Sequence, residues 1–215
     1  MSWSLVYEQA APCSKRYVEP VELGAKAPES YLLADPIVQT DAPAVRSLAN
    51  NLRQRHGGDA SYACAAFEWV RDQVAHSLDA QDPTVTLTAT EVLMHRVGLC
   101  FAKTHLLAAL LRAQQIPTGF CYQRLADGNG HVLHGLVAVY LRGGWHRQDP
   151  RGNCPGINAQ FSLDGEQLAY RPDPWRGERD YPQLLSTPAD SVLAALRAAD
   201  NALTLCASGL PSELN

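Results

Sequence analysis

The sequence has no apolar run long enough to cross a bilayer. Stretches such as Leu106–Leu111 cover six residues, against the roughly 20 that a spanning helix needs. It has no block of one charge either. No Lys/Arg run exceeds Lys15-Arg16, and 18 basic against 22 acidic residues leave a net charge of −4. With a pI of about 5.9, nothing in it makes a generic surface for nucleic acid or an anionic membrane. The opening Met1-Ser-Trp-Ser-Leu-Val-Tyr-Glu lacks a basic stretch ahead of an apolar one, so no secretory signal is visible, and the cytoplasm is the expected location. Cys13, Cys64, Cys100, Cys121, Cys154 and Cys206 form no Cys-x-x-Cys pair, and the histidines show no zinc-finger arrangement. Structural zinc is therefore not expected. In a reducing compartment most of these thiols read as small core residues. Internal repeats and low-complexity segments are also missing.

What is present is the material of a packed domain: 46% hydrophobic and 19% charged residues in 215 suit one domain spanning 1–215 with a real core. Trp3–Tyr7 and Tyr17–Leu23 alternate like strands, the second with Pro20 marking an edge. Pro28 to Pro36 reads as extended linker. Helical spacing begins after Asp41 with Pro43, Val45, Leu48 and Leu52, stops at Gly57-Gly58, and resumes with Ala63, Phe67, Val70 and Val74. A short helix over Thr90–Met94 ends by Gly98, and a strongly apolar helix runs from Cys100 to Ile116-Pro117. The period then changes to two. Thr118–Leu125, Leu133–Leu141 and Trp145–Asp149 read as strands joined at Asp127-Gly-Asn-Gly and Arg142-Gly-Gly. A loop-rich segment follows, with a possible strand at Gln167–Tyr170, and Pro188 opens a last helix carrying Val192, Leu193, Leu196 and Leu203. Helices, a strand meander and a closing helix make an α+β fold.

Chemistry concentrates at Val97-Gly-Leu-Cys-Phe-Ala-Lys. Cys100 stands just after a glycine break, at the first turn of an apolar helix, where unpaired N–H groups and the positive end of the helix dipole converge. Both favour a thiolate nucleophile and can hold the oxyanion of a tetrahedral intermediate. The competing reading is a small buried residue. A thiol nucleophile needs a base, and His134, opening an otherwise apolar strand, is the best placed of the seven histidines. Its competing reading is a satisfied structural histidine. Asp149 closes the next strand. A four-residue loop over Leu141–Gly144 would set it opposite Leu136, diagonal to His134 and within reach; a two-residue loop at Gly143-Gly144 would set it opposite Ala138, too distant. The first register is the expected one. Asp149 could instead be a plain turn residue before Pro150. Gln148 points to the other face. His105 lies about 140° around the helix from Cys100, His131 sits in a turn, and His146 has the wrong strand parity. His56, His76 and His95 read as surface residues or caps, and Cys121 and Cys64 as packing.

Taken together these segments resemble the core of the transglutaminase-like superfamily, which shares the papain-like catalytic arrangement. Gly98-Leu-Cys-Phe-Ala-Lys-Thr-His-Leu-Leu-Ala-Ala-Leu-Leu-Arg-Ala-Gln-Gln-Ile-Pro-Thr resembles its nucleophile helix, His134-Gly-Leu-Val-Ala-Val-Tyr-Leu its histidine strand and Gly144-Trp-His-Arg-Gln-Asp-Pro its aspartate strand. Ala66-Phe-Glu-Trp-Val-Arg-Asp-Gln-Val resembles the helix that precedes the core. The resemblance covers about residues 35–160, leaving the N-terminal strands of 1–30 and the loop and helix of 161–215 as decorations. It implies a nucleophile helix packed on an antiparallel sheet and a Cys100, His134, Asp149 triad. The implied reaction is thiolate attack on an amide or related acyl group, through a thioester, without metal or organic cofactor. The implied partners are a peptide, protein or small amide, with no nucleic acid and no membrane. Hydrolysis is the expected outcome, because water needs no second binding site; acyl transfer to an amine and a catalytically silent binding module are the alternatives. Gln115 stands where the family usually has Gly, and Gly135 where Ala often follows the histidine, which would open space near the base. The second oxyanion donor has no evident residue, Gln123 being a weak candidate.

Overall fold

The computed structural model describes residues 21–128 and 130–214. The expected strand Trp3–Tyr7, and Tyr17–Leu23 up to residue 20, lie outside the described residues. The elements are helices α1 (Pro43–Arg55) and α2 (Asp59–Gln73), strand β1 (Ala75–His76), helices α3 (Ser77–Ala80) and α4 (Ala89–His95), strand β2 (Val97–Gly98) and helix α5 (Cys100–Ala113). Strands β3 (Thr118–Asp127), β4 (Gly130–Leu141), β5 (Gly144–Gln148) and β6 (Arg179–Asp180) and helices α6 (Asp190–Ala198) and α7 (Ala202–Ser208) follow. Strands β3 to β6 form an antiparallel sheet in the order β5-β4-β3-β6, while β1 and β2 pair in parallel. The α+β architecture with the nucleophile helix against an antiparallel sheet is therefore present.

The local chemistry explains most boundaries. Pro43 begins α1, where its missing N–H costs nothing. Thr88 and Glu91 cap α4 reciprocally, Thr88 accepting from the Glu91 N–H and Glu91 from the Thr88 N–H. That helix ends at His95, with Arg96 in the left-handed region at φ 57°, rather than at Gly98. Gly98 serves a different need: a Cβ there would lie 2.9 Å from Thr86 Oγ1 and 3.1 Å from the Ala102 Cβ, so only glycine lets β2 pass this close to α5. The expected last helix is two helices. The chain leaves helical geometry at Ala199, and Asn201 restarts it by accepting from the N–H groups of Leu203 and Thr204. No strand forms at Gln167–Tyr170; the fourth strand is β6.

Helix α5 is the axis of the molecule. Thirteen of its fourteen residues, Cys100–Arg112, are buried, which is buried all round rather than on one face. Its polar side chains must therefore find partners inside. Lys103 donates from Nζ to the carbonyls of Arg71 and Val74 at the end of α2. Thr104 bonds back to the Phe101 carbonyl, and His105 Nδ1 lies 2.6 Å from the Leu87 carbonyl. Arg112 donates to the carbonyls of Leu33, Thr118 and Ser186. One sheet face packs on this helix through Phe120, Tyr122, Leu133, Val137 and Val139. The other covers a smaller cluster of Tyr31, Cys121, Leu136, Ala138 and Leu184.

The helix ends with Gln115 at φ 60°, a conformation that costs a side-chain-bearing residue roughly 1–2 kcal/mol. This is the position where the resembling helices carry Gly, and Gln115 is exposed. Gln115→Gly is accordingly expected to stabilise the protein by about 1 kcal/mol, read as a higher urea midpoint at unchanged slope.

Candidate active site

The register of β4 and β5 decides whether a carboxylate meets His134. Val137 pairs with Gln148 and Leu141 with Gly144, a register that continues to Asp149 opposite Leu136, as the expected alignment requires. The turn is tighter than expected because Leu141 and Gly144 still pair. Only Arg142 and Gly143 connect the strands, both at positive φ (53° and 81°), the geometry of a two-residue hairpin turn that follows the sheet's twist. His134 does not open its strand, since β4 begins at Gly130. It nevertheless lies past the end of β5, which runs only to Gln148 opposite Val137, so its edge of the sheet faces a cleft rather than a neighbouring strand.

In that cleft His134 Nε2 lies 2.8 Å from Asp149 Oδ2. Asp149 has no exposed surface; its Oδ1 accepts from the Arg151 N–H (3.1 Å) and its Oδ2 also from the Ala169 N–H (3.0 Å). Burial raises its pKa, but the His134 charge and these bonds outweigh that and hold it below the usual carboxylate range. Burial likewise opposes the charged form of His134, yet the Asp149 carboxylate and the Cys100 sulfur, each also hydrogen-bonded to it, raise it to about 10. Because Nε2 is held by Asp149, Nδ1 is the ring nitrogen left for the thiol. The edge of the Tyr170 ring packs on the imidazole, with centroids 4.9 Å apart at 83°, and the Tyr170 hydroxyl accepts from Arg151 Nε at 3.0 Å.

Cys100 is the first residue of α5, and Leu99 before it provides no side-chain cap. The first-turn N–H groups are thus left without a side-chain acceptor. Cys100 is buried but opens on a cavity of about 210 Å³ whose wall also carries Leu99, Phe101, His134, Tyr170 and His76. Of the three residues singled out in the sequence, Cys100 and His134 therefore meet at one cavity, and Asp149 is held behind His134 through their hydrogen bond. Gln123 does not: its Nε2 donates to Asp180 Oδ1 at 2.9 Å and to the Tyr170 carbonyl at 3.4 Å. Gln148, set aside as an orienter, exchanges hydrogen bonds with the Ser162 backbone. Among the described residues no three His, Cys, Asp or Glu side chains are grouped to hold a metal ion.

Residues 46–150 match the model of the transglutaminase-like superfamily. That segment, just under half of the chain, carries the core of the superfamily. No curated protein matches the sequence. Among solved structures, the chain is similar to a candidate cysteine protease from Cytophaga hutchinsonii (21% identity over 56% of this chain and 40% of that one, TM-score 0.45). It is also similar to the periplasmic domain of TgpA from Pseudomonas aeruginosa (22%, 59% and 48%, 0.46) and to a TGase (18%, 56% and 34%, 0.41). The chain spans less than half the length of each of these.

Against the superfamily pattern, Gly135 turns out not to open space beside the base. A Cβ there would lie 2.7 Å from Phe101 Cδ1, so the room is already filled by the Phe101 ring. Two features of the site had no signature in the sequence. Arg151 is 1% exposed and paired bidentately with Asp79 (2.6 and 2.9 Å), and the Phe161–Tyr181 segment supplies Ala169 and Tyr170. That segment also borders the cleft, through Ala169, Tyr170, Arg171, Arg176 and Glu178. His76 was read as a cap or surface residue; it is the N-cap of α3 but is 8% exposed and lines the cavity.

His105 faces away from Cys100, as its angle around the helix requires, and is fully buried. Burial lowers its pKa to about 4, the bond to Leu87 opposing this. A folded pKa below the unfolded value means that stability is lost as pH falls below about 6.5, where only the unfolded chain takes up the proton. His105→Leu is therefore expected to be less stable than wild type at pH 8, with the gap closing towards pH 5. Urea midpoints at the two values check this.

Proposed function

We propose that this site performs thiol-dependent acyl chemistry, with Cys100 as nucleophile, His134 as acid and base, and Asp149 as its orienting partner. The observation that carries the reading is the buried His134–Asp149 hydrogen bond beside a cysteine at an uncapped helix start, with Cys100 and His134 lining one cavity. A structural histidine needs no such carboxylate, and a packing cysteine needs no such cavity. In this reading Cys100 sulfur attacks the acyl carbon while His134 holds the thiol proton. The carbonyl π pair moves onto oxygen beside the α5 N–H groups. Collapse of the tetrahedral species expels the amine, which takes the proton from His134, and leaves a thioester on Cys100. Water, activated by His134, then releases the acid. The substrate is a peptide or small amide, and hydrolysis is the reading favoured here because water needs no binding site of its own.

The test is incubation with a library of amides and thioesters, with and without added amines, followed by intact-mass analysis. An acyl adduct on Cys100 that decays in water supports the proposal; decay only with amine present makes the chain an acyltransferase. Rapid alkylation by iodoacetamide below pH 7, lost in His134→Ala, is the companion result. A chain that forms no adduct and labels slowly is a silent binding module.

A further inference from the structure

Attack on an acyl carbon leaves charge on oxygen, and donors aimed at that oxygen supply much of the catalysis. The start of α5 offers backbone N–H groups, but no side-chain donor has yet been assigned, Gln123 being held by Asp180 and Tyr170. We propose that His76 is that donor, hydrogen-bonding the oxyanion from the cavity wall. The assignment rests on the acyl chemistry proposed above.

Position is the first argument. The parallel pairing of β1 with β2 sets His76 opposite Gly98, two residues before Cys100, so the ring borders the nucleophile's own turn. It lines the same cavity as Cys100 and His134. The second argument is the state of its nitrogens. His76 is more than nine-tenths buried, yet it makes no side-chain bond as the cap of α3, and its Nδ1 is sealed without any hydrogen-bond partner. Burying an imidazole with no partner is costly, so the fold gains nothing structural from its polarity. With Nδ1 sealed, the ring's residual exposure onto the cavity leaves Nε2 as the nitrogen that a bound molecule reaches. A sealed lone pair is less costly than a sealed N–H, which places the proton on Nε2, where it donates into the cavity.

Charge supports the same state. Burial, and then the positive groups of Arg151, Lys103 and His134, hold the pKa of His76 well below its ordinary value. It is therefore a neutral donor beside a positively charged base, and it does not compete with His134 for the thiol proton. No proton leaves His76 in the step: the C–S bond forms, the carbonyl pair moves to oxygen, and the hydrogen bond from Nε2–H to that oxygen shortens as its charge grows. A neutral imidazole is known to act as an electrophile of this kind.

The experiment compares two reactions of one sulfur. Hydrolysis of p-nitrophenyl acetate passes through an oxyanion; alkylation by iodoacetamide displaces iodide and does not. His76→Phe is expected to lower kcat for the ester by about 10²–10³-fold with KM within a few-fold, while the alkylation rate of Cys100 stays at the wild-type value. His76→Gln, which retains a donor, should recover part of kcat, and it serves the same comparison if the Phe variant does not fold. Unchanged ester turnover in folded variants overturns the assignment. So does a parallel fall in turnover and alkylation, which would make His76 a positioning residue for Cys100 or His134. Absence of wild-type turnover overturns the acyl reading itself and this assignment with it.

Discussion

Asp149→Asn is expected to lower kcat by about 10⁴-fold, the scale seen when an orienting carboxylate becomes an amide, while Cys100 remains measurably alkylable. The reason is the direction of each bond. Asp149 accepts from three donors, His134 Nε2, the Arg151 N–H and the Ala169 N–H. An amide has one oxygen and one NH₂. If the NH₂ faces His134 it donates to Nε2 and drives the ring proton to Nδ1, the nitrogen that must receive the thiol proton. If the oxygen faces His134, the NH₂ confronts the Arg151 N–H instead. Either way two donors meet inside a fully buried site, costing about 1–3 kcal/mol. Stopped-flow turnover and iodoacetamide labelling of the same preparation check the kinetic prediction, and wild-type turnover in the variant would remove Asp149 from the mechanism.

Arg112→Met is expected to cost about 3 kcal/mol of stability, or roughly 6–12 °C in Tm for a chain of this size. Arg112 is 1% exposed, and its guanidinium is satisfied by the carbonyls of Leu33, Thr118 and Ser186. Burial lowers its pKa to about 10, with Asp35 opposing. Removing the charge returns its desolvation cost, but the three carbonyls, from the linker, the start of β3 and the segment before α6, lose their shared donor. Methionine fills the volume without replacing those bonds. The prediction is checked by urea denaturation, where a shifted midpoint at constant slope isolates the effect on stability. An unchanged midpoint would mean that water replaces the guanidinium.

The legible parts of this molecule are those where one period or one short pattern specifies one geometry. The 3.6-residue spacing of α1, α2 and α5 and the two-residue spacing of β3 and β4 placed the elements within a few positions. The Gly-x-Cys junction placed the candidate nucleophile. The aspartate's alignment was readable because the alternative register sets it opposite Ala138, too far from His134 to reach. What could not be read depends on contacts between distant segments. Strand β6 is two residues long and forms only because β3 offers an edge. His76 lies in an equally short bridge, so its burial has no periodic signature. Phe101 occupies the space left by Gly135, a pairing across 34 positions that neither residue announces alone. The break between α6 and α7 turns on one asparagine in an otherwise continuous apolar spacing.

Asp149 lies at the boundary of the superfamily segment, which ends at residue 150, yet two of its three hydrogen bonds come from Arg151 and Ala169, and Tyr170 covers its histidine. The cradle of the acid is thus made by the same irregular stretch that walls the cleft. Any lineage that reshapes this stretch to admit a new substrate must at the same time rebuild the support of its base. Under the proposed acyl chemistry selectivity and reactivity are tied, and exchanging the stretch between relatives should transfer both or neither.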